Sequence, residues 1–167
     1  MANLERTLVV LKPDSVGRSI VWKVISRFER AWLHIVAMKM VQPNQEFLHH
    51  HYENIGKVLT RHGQKIFDIT LAMMKKGPVV ALVLEWIESV EYVRKIVGST
   101  EPKSAAPGTI RGDYAHMSYG YADEVEIGIP NLVHASGNVE EAQEEIKHWF
   151  SEQEMFTYEP LHQKFTR

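Results

Sequence analysis

One histidine, His134, stands among side chains that are too small to enclose its ring. In the segment NLVHASGN it follows the apolar residues Leu132 and Val133 and precedes the small residues at 135–137. The apolar residues predict the end of a strand, and Asn138 predicts the start of a helix. An accessible neutral imidazole can attack phosphorus directly. His134 is therefore a candidate nucleophile, and a structural role at a strand end is the alternative.

Cationic side chains and one hydroxyl lie at the ends of other predicted elements. Lys12 closes the first strand and Arg94 lies on a short helix, while Thr100 and Arg111 belong to a long loop that contains PGTIRGD. If strand ends bring these groups to one edge of a sheet, they would suit a polyphosphate, because arginine offers a donor fork and lysine a point charge. The alternatives are a solvated Arg94 and an Arg111 that pins its own loop by binding carbonyls.

Glu145, on the last predicted helix, is a candidate partner for His134. A carboxylate there could hydrogen-bond the second ring nitrogen and fix the tautomer, although most carboxylates in the run EEAQEE are expected to be solvated. Neither glycine-rich phosphate motif, G-x-x-x-x-G-K-[ST] or G-x-G-x-x-G, is present, so side chains must build any nucleotide site. The triplet HHH at 49–51 predicts no metal site, because consecutive helix positions point about 100° apart.

Composition favours one globular domain spanning residues 1–167. The chain is 44% hydrophobic, has a net charge of -2 and contains no cysteine. It lacks a signal-peptide pattern and any apolar run of the ~18 residues that a membrane span needs. We therefore expect a cytoplasmic protein with no membrane association, and nucleic acid is not an expected partner.

The hydrophobic pattern predicts an α+β sandwich in which helices separate four strands. The predicted strands are 6–13, 33–41, 79–85 and 131–134. The predicted helices are 20–28, 45–55, 61–76, 89–98 and 138–150, with a long loop at 99–115. The continuously apolar strand 79–85 is expected at the centre, covered on both faces. Asn138 is the expected N-cap of the last helix, with Glu141 completing a capping box.

Several motifs in order resemble the nucleoside diphosphate kinase family. NLVHAS resembles its N-x-x-H-[GA]-S signature, ERTLVVLKPDSVGR its opening strand and turn, and VRKIVGSTEPKSAAPGTIRGD its long loop. The resemblance spans nearly the whole chain. It implies a ferredoxin-like sandwich with a four-stranded antiparallel sheet covered by helices, assembled as a dimer-based tetramer or hexamer. It also implies γ-phosphate transfer from a nucleoside triphosphate to a nucleoside diphosphate, by a ping-pong route through a phosphohistidine, with Mg²⁺ carried by the nucleotide phosphates.

The resemblance implies a role for each matching residue. His134 would be the nucleophile, oriented by Glu145 with Ser136 beside it. Lys12 and Tyr52 would complete the catalytic set. The implied nucleotide-binding residues are Lys12, Phe67, Arg94, Thr100, Arg111 and Asn131.

The chain departs from the family pattern at several positions. Gly137 and Ala135 replace a common aspartate and glycine, and Ser15 and Trp22 stand at positions usually held by small residues. One insertion lies between Tyr52 and Gly77, and a second occupies 117–129. The first insertion leaves either Ile66 or Phe67 as the residue that would stack on the base. The second is expected to be a surface loop or part of the pocket rim.

A catalytically silent relative is the alternative from another functional class. The ferredoxin-like fold also serves in RNA recognition, where sheet aromatics stack on bases. The slightly negative net charge and the presence of both His134 and Arg111 favour the enzyme.

Overall fold

Four antiparallel strands form the sheet of the computed structural model, which describes residues 3–163. The strands are β1 (Leu4–Leu11), β2 (His34–Val41), β3 (Val79–Ile87) and β4 (Val133–Ala135), in the order β2-β3-β1-β4. β3 pairs with β2 and β1 and is buried from Val79 to Trp86, which confirms that this strand is central. The sheet confirms the predicted ferredoxin-like α+β fold.

Helices cover both faces of the sheet. Nine helices lie within the described residues: α1 (Pro13–Gly17), α2 (Val21–Glu29), α3 (Gln45–His49), α4 (Val58–His62), α5 (Gln64–Met74), α6 (Ser89–Val97), α7 (Ile110–Tyr114), α8 (Tyr119–Glu124) and α9 (Val139–Trp149). A π-helical segment, His50–Ile55, continues α3, and short 3₁₀ turns lie at Pro102–Ser104 and Glu152–Glu154. None of the helices in the described part of the chain is long and apolar enough to cross a membrane.

The alternating side chains of β1 divide the core into two layers. Val9 and Leu11 pack with α2 and α6, where Phe28 is fully buried. Leu8 and Val10 pack on the opposite face with α3, α5 and α9, and Trp149 fills that layer. Because successive strand residues face opposite sides, burial of both sets requires a helical cover on each face.

Several predicted boundaries differ from the structure. The first strand, predicted at 6–13, is β1 (Leu4–Leu11), and Pro13 begins α1. The predicted helix 61–76 is broken at Gly63, whose φ of 83° is left-handed, so that α4 and α5 are separate. The predicted loop 99–115 contains α7, and α8 lies inside the insertion 117–129. β4 begins at Val133, because Leu132 adopts a left-handed φ of 71° that interrupts the strand.

Candidate active site

His134 lies in the middle of β4, opposite Val10 of β1, and its side chain is 22% exposed. Its Nε2 is 2.7 Å from Oε1 of Glu145, which α9 supplies from the adjacent layer. Burial tends to raise the pKa of Glu145, but the charge and hydrogen bond of His134, with His51 and Ser136, lower it to about 2. An ionised carboxylate only accepts hydrogen bonds, so Nε2 carries the proton and Nδ1 keeps its lone pair.

Ser136 holds the other oxygen of that carboxylate. Its hydroxyl donates to Glu145 Oε2 at 2.6 Å and accepts from the Leu8 backbone N–H at 3.1 Å. The side chain of Ser136 is fully buried beside β1. Glu145 is therefore fixed at both oxygens, and the orientation of the His134 ring follows from it.

His51 is a buried neighbour whose part in the site the sequence did not indicate. Its ring meets that of His134 edge-on, with centroids 4.8 Å apart, and its Nδ1 accepts from Trp149 Nε1 at 3.1 Å. Burial, followed by the charge of His134, lowers the pKa of His51 to about 3, so the ring is neutral. In the HHH triplet, His49 contacts Phe67, whereas His50 and His51 both stack against His148, with ring centroids 4.5 and 6.4 Å away.

Ligand atoms of His51, His134 and Glu145 lie within 4.8 Å of one another, the one such cluster among residues 3–163. Glu145 is already bound to His134 and Ser136, and Nδ1 of His51 to Trp149. These contacts occupy both oxygens of Glu145, Nε2 of His134 and Nδ1 of His51, and they leave Nδ1 of His134 without a bond to any described residue. The absence of a resident metal stays a prediction.

The end of β1 and the segment before β4 are joined by a chain of polar contacts. Lys12 Nζ donates to Asn131 Oδ1 at 2.7 Å, and Asn131 Nδ2 donates to the Thr100 carbonyl at 2.9 Å. Burial, and then the charge of Arg111, lower the pKa of Lys12 to about 8. The left-handed Leu132 that turns Asn131 toward Lys12 is held by Asp14, which accepts its backbone N–H at 3.0 Å.

Arg111 is buried and binds three backbone carbonyls, those of Gly98, Asn131 and Val133, at 2.9, 3.0 and 2.5 Å. Arg111 thus binds backbone carbonyls, which is the structural role that the sequence left open as an alternative. Gly98 has a φ of 87°, and a Cβ there would meet Thr109 Oγ1 at 2.5 Å, so the loop packs too closely for a larger residue. Arg111 still lines the cleft beside His134.

A cleft of about 500 Å³ brings these groups together. The predicted site residues that line it are Lys12, Tyr52, Arg94, Thr100, Arg111, Asn131, His134 and Glu145. Tyr52 is buried, and its hydroxyl has no hydrogen-bond partner among the residues described. Burial raises its pKa, so the hydroxyl keeps its proton.

Phe67 is not one of the lining residues. It is 3% exposed and packs in the core layer below α5, while Ile66 lies on the surface, also outside the lining. Val58 and Arg61 of α4 do line the cleft, and the sequence did not indicate either residue because α4 lies in an insertion. No residue of the second insertion, 117–129, lines the cleft.

Comparisons with known proteins identify the family of the chain. The family model described as nucleoside diphosphate kinase matches residues 5–155. A nucleoside diphosphate kinase from Borreliella burgdorferi is 40% identical, over 93% of this chain and 92% of its own. One from Pyrococcus furiosus is 42% identical, over 95% and 90%.

Two known structures extend the comparison to three dimensions. A transition state mimic of the nucleoside-diphosphate kinase from Borrelia burgdorferi, with bound vanadate and ADP, matches with a TM-score of 0.92 and 39% identity. That match covers 96% of this chain and 95% of the other. A halophilic enzyme from Halobacterium salinarum in complex with CDP matches with a TM-score of 0.83 and 30% identity, over 99% of both chains. The resemblance found in the sequence is confirmed, and the chain belongs to the nucleoside diphosphate kinase family.

Proposed function

We propose that the protein transfers the γ-phosphate of nucleoside triphosphates to nucleoside diphosphates in two steps, through a phosphohistidine at Nδ1 of His134. The observation that carries this proposal is the 2.7 Å contact between Nε2 and Glu145, which leaves Nδ1 as the free nitrogen of a ring that lines the cleft. A neutral nitrogen with a fixed tautomer is a ready nucleophile.

In the first step the Nδ1 lone pair forms a bond to the γ-phosphorus, and the bond from phosphorus to the β-phosphate oxygen breaks. The nucleoside diphosphate leaves with that electron pair. The phosphorylated ring gains positive charge, which the Glu145 carboxylate stabilises through the Nε2 proton. In the second step a β-phosphate oxygen of the acceptor attacks phosphorus, and the pair in the P–N bond returns to Nδ1.

Positioning and positive charge account for most of the rate in phosphoryl transfer. Arg94, Lys12 and Arg111 line the cleft and would hold the phosphates, and the Tyr52 hydroxyl, which has no partner among the described residues, would donate to an oxygen of the transferred group. The cleft carboxylates Glu141 and Glu145 are bound to the Gly137 N–H and to His134. We therefore propose that Mg²⁺ enters and leaves on the nucleotide phosphates, as part of the substrate.

Nucleotides with different bases are the proposed substrates. Most of the polar groups that line the cleft suit phosphates and ribose, and two relatives bind ADP and CDP, a purine and a pyrimidine. Low base selectivity follows if few contacts read the edge of a base.

The test is to incubate the protein with γ-labelled ATP and Mg²⁺ and to look for a base-stable, acid-labile label that GDP removes. We expect the label in the wild type and its loss in His134→Ala. The matched control is His116→Ala, a histidine outside the cleft lining, which should label normally. A folded, nucleotide-binding wild type without label would contradict the proposal and favour the silent alternative.

A further inference from the structure

Two histidines face the same oxygen of Glu145. His134 Nε2 lies 2.7 Å from Oε1 and holds it, whereas Nδ1 of His51 lies 3.9 Å from that oxygen, beyond the range of a hydrogen bond. An ionised carboxylate can accept several hydrogen bonds, and a movement of about 1 Å would bring Nδ1 within range. A proton on Nδ1 of His51 would therefore place a second imidazole donor at the oxygen that fixes the tautomer of His134.

Trp149 determines which nitrogen of His51 carries the proton. Its Nε1–H donates to Nδ1 of His51 at 3.1 Å, and because a nitrogen that accepts carries no proton, the neutral ring is protonated on Nε2. The indole N–H can only donate, so it cannot exchange roles with the imidazole. The nitrogen of His51 that is nearer to Glu145 thus offers a lone pair and no proton.

Packing holds these groups in place. Glu145 and Trp149 are four residues apart on α9, so one face of the helix presents the carboxylate and the indole together. The Trp149 side chain is 2% exposed and meets Phe47 edge-on, with ring centroids 4.8 Å apart. His51 is equally buried and meets His134 edge-on. A buried N–H without an acceptor is costly, so burial maintains the hydrogen bond between the indole and the imidazole.

We propose that Trp149 and His51 are positioning residues for phosphoryl transfer, in which the indole N–H keeps the proton off Nδ1 of His51 so that Oε1 of Glu145 stays with His134. The inference rests on the proposed kinase function and deepens it. It explains how a second imidazole can lie beside the nucleophile without competing for its carboxylate. In this role neither residue contacts the transferred group.

The test begins with Trp149→Phe, which keeps a buried aromatic ring and removes the N–H. Nδ1 of His51 can then take the proton and donate to Glu145, in competition with His134. Only molecules that keep the His134 contact can react, and a hydrogen bond to a charged group is strong enough for this competition to slow single-turnover labelling about tenfold.

The double variant Trp149→Phe/His51→Phe separates this competition from a loss of packing. It removes the competing donor together with the unpaired N–H, so it should regain about fivefold of the lost rate. Two changes that act through packing alone would instead slow the reaction further. Trp32→Phe, an exposed aromatic outside the cleft lining, is the matched control and should label normally.

The pH profile of labelling is a second readout. In the wild type His51 stays neutral down to about pH 3, whereas a new hydrogen bond to Glu145 in Trp149→Phe would raise its pKa. Below that raised pKa the charged ring would hold the carboxylate more strongly. The fall of the rate toward acid should thus lie at higher pH in Trp149→Phe and return in the double variant. The other charged or titratable groups around His51 are unchanged in all three proteins: His134, Glu145, His148, Lys12 and Tyr52.

Nitrogen-15 NMR of histidine-labelled protein follows the tautomer without nucleotide. We expect Nδ1 of His51 to be unprotonated in the wild type and protonated in Trp149→Phe. A wild type protonated on Nδ1 would overturn the inference, even if Trp149→Phe does not fold. Equal labelling of Trp149→Phe and wild type would also overturn it, as would a double variant slower than Trp149→Phe. A wild type with the expected tautomer but no label would contradict the proposed function instead.

Discussion

At the scale of single residues, the site depends on which nitrogen of His134 is free. Glu145 fixes this choice because its two oxygens are held by His134 and Ser136 and its charge is retained down to low pH. A carboxylate in this place keeps the proton on Nε2 and leaves the lone pair on Nδ1.

Glu145→Gln should therefore slow the labelling of His134 by about 10²–10³, comparable with the loss of one group that stabilises developing charge. The new amide can donate to Nε2, which would place the ring proton on Nδ1 and block attack, and it lacks the charge that stabilises the phosphorylated ring. Single-turnover labelling measures this directly. Glu144→Gln, the exposed neighbour on α9, is the control, and equal rates in the two variants would contradict the orienting role.

Lys12 should make nucleotide capture depend on pH. Its pKa of about 8 means that it is positive below this pH and neutral above it, so the free protein loses a phosphate-binding charge as pH rises. We expect kcat/KM to fall above about pH 8, while kcat stays flatter because bound phosphates favour the charged amine. The pH profile of Lys12→Ala should lack this fall. A wild-type kcat/KM that stays level to about pH 9.5 would be incompatible with the role.

At the scale of elements, Arg111 ties the loop after α6 to the segment that leads into β4. Its three carbonyl partners lie on both, so the residue has a structural role in addition to its place in the cleft. The lysine ammonium cannot reproduce the planar fork. Arg111→Lys should lower the free energy of unfolding by about 2 kcal/mol, since buried carbonyls lose their donors.

Urea unfolding checks this, with Arg94→Lys as the matched control. Arg94 also lines the cleft but is exposed, so its replacement should change stability by less than about 0.5 kcal/mol while slowing transfer. Equal stability losses in the two variants would show that the carbonyl contacts of Arg111 are not what stabilises the loop.

At the scale of elements, sequence patterns were sufficient to predict some of the helices, strands and cleft residues. A periodic pattern predicted α9, a continuous apolar run predicted the central β3, and eight of the predicted site residues line the cleft. Short helices such as α7 and α8 carry too few turns for a periodic signal. Phe67 is buried outside the cleft lining, which the sequence could not show, because a buried aromatic and a base-stacking one look alike in a sequence and the insertion obscures the register.

The N-terminal cap of α9 is a second feature that the sequence predicted only in part. Asn138 Oδ1 accepts the Glu141 N–H at 2.8 Å, as predicted, but the Glu141 carboxylate accepts from Gly137 N–H at 3.1 Å. The reciprocal bond of a capping box is thus shifted by one residue. Spacing alone could not show this, because the pattern specifies the residue types of a capping box and not which backbone N–H the flexible glutamate side chain accepts.

At the scale of the whole molecule, large apolar side chains are exposed near the β2 edge of the sheet. Trp22 on α2 is 70% exposed, and Met38 and Met40 of β2 are also exposed. Such residues on one chain are typical of surfaces that other copies cover. We expect an even-numbered oligomer, a dimer-based tetramer or hexamer, by light scattering. Trp22→Lys should shift the mass toward smaller species, and a wild type that is monomeric at every concentration would contradict the assembly.

The cleft beside His134 also determines how the reaction responds to its own substrates. A space of about 500 Å³ is in the range of a site for a single small ligand, so in the proposed mechanism donor and acceptor would occupy it in turn. A diphosphate that arrives while the histidine is unmodified fills the cleft without reacting. Raising the acceptor at constant donor should first accelerate and then slow the exchange. The rate then follows the ratio of the two nucleotide pools rather than the abundance of either.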